Sequence, residues 1–275
     1  MMRTLPMPAI FLVDNGSLRP EATFALRGLA ASLSRKTGLE VEAVSLLHSH
    51  KLPPEQLQGR PATIVKRRMR ELLQTGQHEF VILPLFLGPS LAITDYLPGV
   101  VAELQQDWPE LVVRIAAPIA GHDVAQPDPR LAQMLAAHIR PFLRAGEDQQ
   151  IALVDHGTPF QPVNALRNAV ARQLADRLCC PVQPCSMERR AGPEYAFNEP
   201  LLEHLGQSGG SAASELLLAM LFLLPGRHAG AGGDVAGIAD GLVQRGAFRA
   251  IRVSPLLGEH PVLINILCER LRNML

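Results

Sequence analysis

The chain reads as an α/β protein built from two similar domains, each an open, mainly parallel sheet flanked by helices. Three observations predict this. Apolar runs at residues 10–13, 81–87, 151–154 and 217–223 show no apolar–polar alternation, as expected of strands buried on both faces of a parallel sheet. Helical patterns at 21–36, 61–76 and 163–178 lie between such runs, the strand–helix order that parallel connections need. The third observation is self-similarity. Ile10-Phe11-Leu12-Val13-Asp14-Asn15-Gly16-Ser17 returns as Ile151-Ala152-Leu153-Val154-Asp155-His156-Gly157-Thr158. Val81-Ile82-Leu83-Pro84-Leu85-Phe86-Leu87 returns as Leu217-Leu218-Ala219-Met220-Leu221-Phe222-Leu223, and Val113-Arg114-Ile115-Ala116-Ala117-Pro118 as Ile251-Arg252-Val253-Ser254-Pro255. Val13 and Val154, Leu85 and Leu221, and Pro118 and Pro255 lie 141, 136 and 137 residues apart. Three segments in one order at nearly one offset mark a duplication.

The junction between the copies follows from composition. Gln126-Pro127-Asp128-Pro129 is polar and proline-rich, a helical stretch runs on to Arg144, and Gly146-Glu147-Asp148 leads into the second copy. The domains are therefore drawn at 1–146 and 147–275. Residues 206–214, GQSGGSAAS, read as a flexible loop before the strand that carries 216–223.

Bulk composition narrows the function classes. Lys plus Arg equals Asp plus Glu at 26 each, so there is no global basic field to attract nucleic acid. No run reaches the roughly 18 apolar residues of a membrane span, and 216–225 is about one strand long. The apolar N-terminal run is short, lacks a small-residue cleavage site and reads as a first strand. Four cysteines, three of them clustered at Cys179, Cys180 and Cys185, are too few for a disulfide framework and match no zinc spacing. The expectation is a cytoplasmic protein.

In open parallel sheets ligands bind beyond the carboxyl ends of strands. This directs attention to the turns Asn15-Gly16-Ser17 and His156-Gly157-Thr158 and to residues 88–93 and 224–233. If the two copies face each other, these turns line a shared cleft. His156 and His228 both fall at strand-end turns beside glycines, and Glu188 follows the second apolar run of the second copy. Two imidazoles and a carboxylate suit a borderline divalent cation, and a neutral imidazole also accepts protons near neutral pH. A lone histidine is more often solvated or satisfied in a core, and His78, His138 and His204 are read that way. For His156 and His228, position alone leaves both readings open.

Val154-Asp155-His156-Gly157-Thr158 resembles the opening HGS/HGT motif of the CbiX family of sirohydrochlorin chelatases. Leu221-Phe222-Leu223-Leu224-Pro225-Gly226-Arg227-His228 resembles its second histidine motif, and Asp234-Val235 the Asp-Ile that follows, here after a longer stretch. Met187-Glu188 and Phe197-Asn198-Glu199-Pro200 look like a family MEFNEP segment split by an insertion, and Ser254-Pro255-Leu256-Leu257-Gly258 matches the closing strand. The resemblance spans essentially the whole chain.

The resemblance implies a class II chelatase fold: two flavodoxin-like lobes with a tetrapyrrole cleft between them. It implies exchange of two pyrrole N–H protons for cobalt or ferrous iron, the metal being a substrate. No nucleotide cofactor is expected, and the chain has no GxxxxGK[ST] sequence. His156, His228 and Glu188 are the candidate catalytic and metal-holding residues. Arg227, Gly157, Thr158, Asn15 and Ser17 are the candidate substrate-binding residues, since a tetrapyrrole with eight carboxylates calls for guanidinium groups and strand-end amides. Arg189 and Arg190 are weaker candidates for the same task.

The first copy departs from the pattern. Asn15 stands where His156 stands, and Ala92 where His228 stands, so this lobe reads as a wall with a degenerate site. Its His48-Ser49-His50 falls at the loop equivalent to Glu188, either adding a ligand or forming a plain polar loop. A chain carrying both lobes suffices as a monomer, and a homodimer is equally allowed. The competing function classes are a tetrapyrrole or metal carrier without turnover and an unrelated α/β enzyme. The latter finds no GxSxG elbow and no GxGxxG after a strand.

Overall fold

The computed structural model describes residues 7–206 and 214–275. The sequence-predicted loop at 206–214 falls mostly outside the described residues. The chain divides into two compact units, one of residues 1–119 with 263–275, the other of 120–262.

In the first unit, β1 (Ala9–Asp14) leads to α1 (Pro20–Thr37) and β2 (Val41–Ser45). Then come α2 (Val65–Leu73), β3 (Glu79–Pro84), α3 (Leu97–Asp107) and β4 (Val112–Ile115). The strands form one sheet in the order β2-β1-β3-β4, with every pairing parallel. Ile10 sits opposite Val41 on one side and Val81 on the other. Phe11, Val13, Phe80 and Ile82 are fully buried within one core cluster with residues of α2 and α3. Both faces of the central strands are covered, which is why their sequences are apolar without alternation.

The second unit repeats the plan. It opens with α4 (Arg130–Ile139), then β5 (Gln149–Asp155), α5 (Gln161–Leu178) and β6 (Gln183–Ser186). β7 (Glu215–Met220), α6 (Asp234–Gln244) and β8 (Ala250–Val253) complete the sheet, again all parallel, in the order β6-β5-β7-β8. All six residues of β7 are buried. Where the first unit has α2, the described residues here hold two short 3-10 turns, Pro193–Asn198 and Leu202–His204. Both units thus hold a four-stranded, all-parallel sheet flanked by helices, as the sequence predicts.

The compact units do not coincide with the repeat division at 146. Helix α4 precedes the second copy in sequence yet packs on α5 and β7. The final helix, α7 (Val262–Arg272), falls almost wholly within the first unit. Its Arg270 donates to the carbonyls of Pro118 and Ile119 at 3.4 and 3.3 Å, and Asn265 meets Lys36 of α1. Each sheet needs its apolar faces covered, and chain order does not specify which helix does so.

A candidate active site at the strand ends of the second unit

β5, β6 and β7 are parallel neighbours, so the segments after them emerge at one edge. His156 follows β5 directly, Glu188 lies two residues past β6, and His228 sits in the loop between β7 and α6. The imidazoles of His156 and His228 stand edge to face, ring centroids 4.5 Å apart. His156 Nε2 lies 3.4 Å from Glu188 Oε1. The three residues named from the sequence are therefore brought together. Among the described residues, no group of three or more His, Cys, Asp or Glu forms a ready metal cage.

The close approach of β5 and β6 at this edge depends on Gly157. Its φ is +90°, in the left-handed region. A Cβ there would come within 1.9 Å of the Glu188 carbonyl oxygen. Glu188 N–H donates to His156 O at 3.2 Å and Met187 N–H to Asp155 O at 2.8 Å, extending the pairing of the two strands past their ends.

The orientation of each ring is set by what its Nδ1 meets. His228 Nδ1 lies 2.6 Å from Asp234 Oδ2, at the first residue of α6. His156 Nδ1 lies 3.0 Å from the Gly157 carbonyl oxygen. A carbonyl and a carboxylate only accept hydrogen bonds, so each neutral ring carries its proton on Nδ1 and keeps a lone pair on Nε2. Sequence reading noted Asp234 only through the family resemblance and gave it no role. Its signal was an acid six residues beyond a candidate histidine.

Beneath the loop lies a buried polar network. Asp155 Oδ1 accepts from Gly157 N–H at 3.1 Å and from Ser186 Oγ at 2.6 Å. Arg167, on α5 and only 2% exposed, donates to Ser186 Oγ at 2.5 Å and Asn198 O at 2.9 Å. Burial pushes the Asp155 carboxyl up, while Ser186, Arg167 and the Gly157 amide act against that. Burial lowers the Arg167 guanidinium and the Asp155 charge offsets it. Sequence reading missed Arg167, because one arginine within a helical pattern is indistinguishable from a solvated one.

The remaining candidates have mixed surroundings. Thr158 Oγ1 accepts from Phe160 N–H at 3.0 Å, closing the turn into α5, as Ser17 Oγ does with Arg19 N–H before α1. Arg227 is exposed, its Nε 3.6 Å from Asp234 Oδ2. Arg189 is held by Glu199 at 2.7 Å, and Arg190 lies over the Tyr195 ring. Cys185 is buried in the core, where burial pushes its thiol up, and Cys179 and Cys180 end α5 on the outside.

The first unit has the frame of this site without its chemistry. Gly16 (φ +88°) sits against the Leu47 carbonyl oxygen, where a Cβ would approach to 1.7 Å. Leu47 N–H donates to Asn15 O at 3.1 Å, matching Glu188 and His156. Leu47, and neither His48 nor His50, thus occupies the position of Glu188. The histidine pair lies in the same loop, beginning one residue further on. His48 and His50 lie exposed in the short turn that follows.

A family model described as CbiX matches residues 9–140. No curated protein matches the chain in sequence. Among solved structures, SirB from Bacillus subtilis with Fe3+ matches with a TM-score of 0.71 at 16% identity, over 97% of this chain and 95% of that one. SirB from the subspecies spizizenii in complex with cobalt, a sirohydrochlorin chelatase, gives 0.69 at 14% over the same shares. CbiX, the terminal enzyme for biosynthesis of siroheme in denitrifying bacteria, gives 0.56 at 15%, over 97% and 99%. At such identities the structural likeness speaks for the fold. The match over residues 9–140 carries the likeness to the CbiX family, and the solved structures carry the two-domain class II chelatase fold.

Proposed function

We propose that this protein inserts a divalent metal, cobalt or ferrous iron, into sirohydrochlorin or a closely related tetrapyrrole, at the strand-end site of the second unit. The observation that carries this is the pair of imidazoles with both Nδ1 atoms tied to acceptors. The Nε2 lone pair of neutral His156 faces the Glu188 carboxylate at 3.4 Å. Two acceptors that close repel each other unless a proton or a cation lies between them. The pair is therefore built to take up one or the other, and metal insertion supplies both.

Insertion replaces two pyrrole N–H protons with one M2+. His156 and His228 offer imidazole nitrogens, and Glu188 a carboxylate, which suits borderline divalent cations and does not separate cobalt from iron. The Asp234 carboxylate behind His228 fixes its ring and tautomer, as carboxylates behind metal-binding histidines commonly do. A looser group than a closed cage suits a metal that must pass on to the macrocycle. Arg227, exposed beside the site, is placed to meet a substrate carboxylate. The reading is supported by the match to the CbiX family model over residues 9–140 and by the fold shared with sirohydrochlorin chelatases.

The test is an anaerobic absorbance assay of sirohydrochlorin with Co2+ or Fe2+. His156→Ala and His228→Ala should each abolish most turnover, while Asn15→Ala changes it little. Equal losses from His156→Ala and Asn15→Ala would refute the assignment of the site to the second unit.

A further inference from the structure

The two units share a fold and a strand-end glycine turn, and they differ in what lies beneath that turn. In the second unit, Asn198 is fully buried and grips the Thr158 backbone from both sides. Its Oδ1 accepts from Thr158 N–H at 3.0 Å, and its Nδ2 donates to Thr158 O at 2.9 Å. Asp155 holds the preceding amide, Gly157 N–H, at 3.1 Å. His156 is thus flanked by two anchored points.

Both anchors converge on one side chain. Arg167 donates to Asn198 O and to Ser186 Oγ, and Ser186 in turn donates to Asp155. Its Nε and other terminal nitrogen meet Asn168 Oδ1 at 3.0 and 2.9 Å, the latter also reaching Phe197 O at 3.5 Å. A buried guanidinium with all its donor nitrogens engaged orders every group it touches.

The first unit folds the same turn without this device. Helices α1 and α5 both have eighteen residues, and Leu26 in one holds the seventh position that Arg167 holds in the other. Ser45 N–H donates to Thr63 O as Ser186 N–H donates to Pro200 O, which sets Pro61 opposite Asn198. Pro61 has no side-chain amide to grip Ser17. One oxygen of Asp14, the counterpart of Asp155, is buried there with no partner. The fold and the left-handed glycine therefore form without the clamp, and the clamp is found in the unit that carries the imidazoles.

We infer that Asn198 and Arg167 are positioning residues for metal insertion, holding the His156–Gly157–Thr158 turn so that His156 Nε2 faces Glu188 and the incoming cation. The inference rests on the proposed function, since it gives that site a supporting structure. Neither residue touches the metal or the macrocycle. They act by fixing a geometry in which misplacement by about 1 Å costs roughly a hundredfold in rate.

The experiment compares the full-length wild type with Asn198→Ala and Arg167→Lys, the latter keeping the charge and losing the fork. Turnover of sirohydrochlorin with Co2+ is measured alongside circular dichroism and the long-range 1H–15N spectrum of the His156 ring. Asn198→Ala should lose roughly a hundredfold in kcat, with KM for the tetrapyrrole within about threefold. The His156 ring should change from a fixed Nδ1–H form to an averaged one. Arg167→Lys should fall between wild type and Asn198→Ala in both readouts. The inference is overturned if a folded Asn198→Ala keeps its kcat within about threefold and its His156 spectrum. It is also overturned if both variants fail to fold, because the clamp would then be a folding element. A wild type that inserts no metal refutes the proposed function, while the His156 spectrum of the variants still decides whether the clamp fixes the ring.

Discussion

Gly157 and Glu188 are in contact to the limit of what backbone allows: a single methyl on Gly157 would overlap the Glu188 carbonyl oxygen at 1.9 Å. The two residues sit at the ends of neighbouring strands and carry the turn that presents His156. Gly157→Ala meets both this overlap and a φ of +90°. It should cost about 2–4 kcal/mol in urea unfolding, at the upper end for a strained backbone position. Gly16→Ala, with the same geometry against Leu47, should cost a similar amount. Insertion by the surviving folded protein should fall far more for Gly157→Ala. Equal activity in the two variants would mean that the His156–Glu188 geometry is not what turnover depends on.

Asp234 holds His228 through a 2.6 Å contact to Nδ1. Asp234→Asn keeps an acceptor and removes the charge that supports the ring. Loss of such a partner commonly costs 10- to 100-fold in metal affinity or activity, and roughly that loss is expected in insertion rate. The melting temperature should move little, because Asp234 is partly exposed at a helix start. An unchanged rate would show that His228 needs no carboxylate behind it.

Asp14 makes the first unit sensitive to pH. Burial pushes its carboxyl from 3.8 to about 6, with Ser45 and the Gly16 amide acting the other way. The second unit places Arg167 near the equivalent Asp155, at 4.0 Å, where the first has Leu26. A folded-state pKa above the unfolded value means that the contribution is fully present below about pH 4 and is lost as the pH rises through about 6. Asp14→Asn stays neutral throughout. Its stability relative to wild type should therefore improve by about 2 kcal/mol between pH 4 and pH 7.5, in paired urea titrations. His138 and His260 act in the opposite sense, burial lowering both, so their contribution is lost on acidification. They are common to both proteins and cancel in the comparison. A constant difference at the two pH values would mean that Asp14 ionises freely.

Cys179 ends α5 in the left-handed region at φ 54°, its N–H bonded to Ala175 O. Gly38 does the same for α1 at φ 73°. A non-glycine residue there costs about 1–2 kcal/mol, so Cys179→Gly should stabilise the protein by about 1 kcal/mol with insertion unchanged. A destabilised variant would show that the cysteine side chain contributes packing that outweighs the strain.

Much of this architecture was legible in the residues themselves. Uninterrupted apolar runs identified the buried strands, because a strand covered on both faces has no polar side to display. That His156, Glu188 and His228 emerge at one edge followed from parallel strands, and how closely they approach was decided by the fold. The register past those ends was not legible. Leu47 takes the place of Glu188, and His48 and His50 miss it by a residue or more, because only the hydrogen bonds of the turn define which residue is opposite which.

The sequence by itself determined the duplication, the parallel α/β class and the residues whose chemistry suits a divalent metal. Each of these depends on local pattern or on residue type. Tertiary structure alone decided that Arg167 is buried and fully bonded on the covered face of α5, among Asn164, Leu166 and Val170, and that Asp234 supports His228. It also decided that α4 covers the second sheet and α7 serves the first. A side chain's environment is set by the elements packed against it, and chain order carries no record of which elements those are.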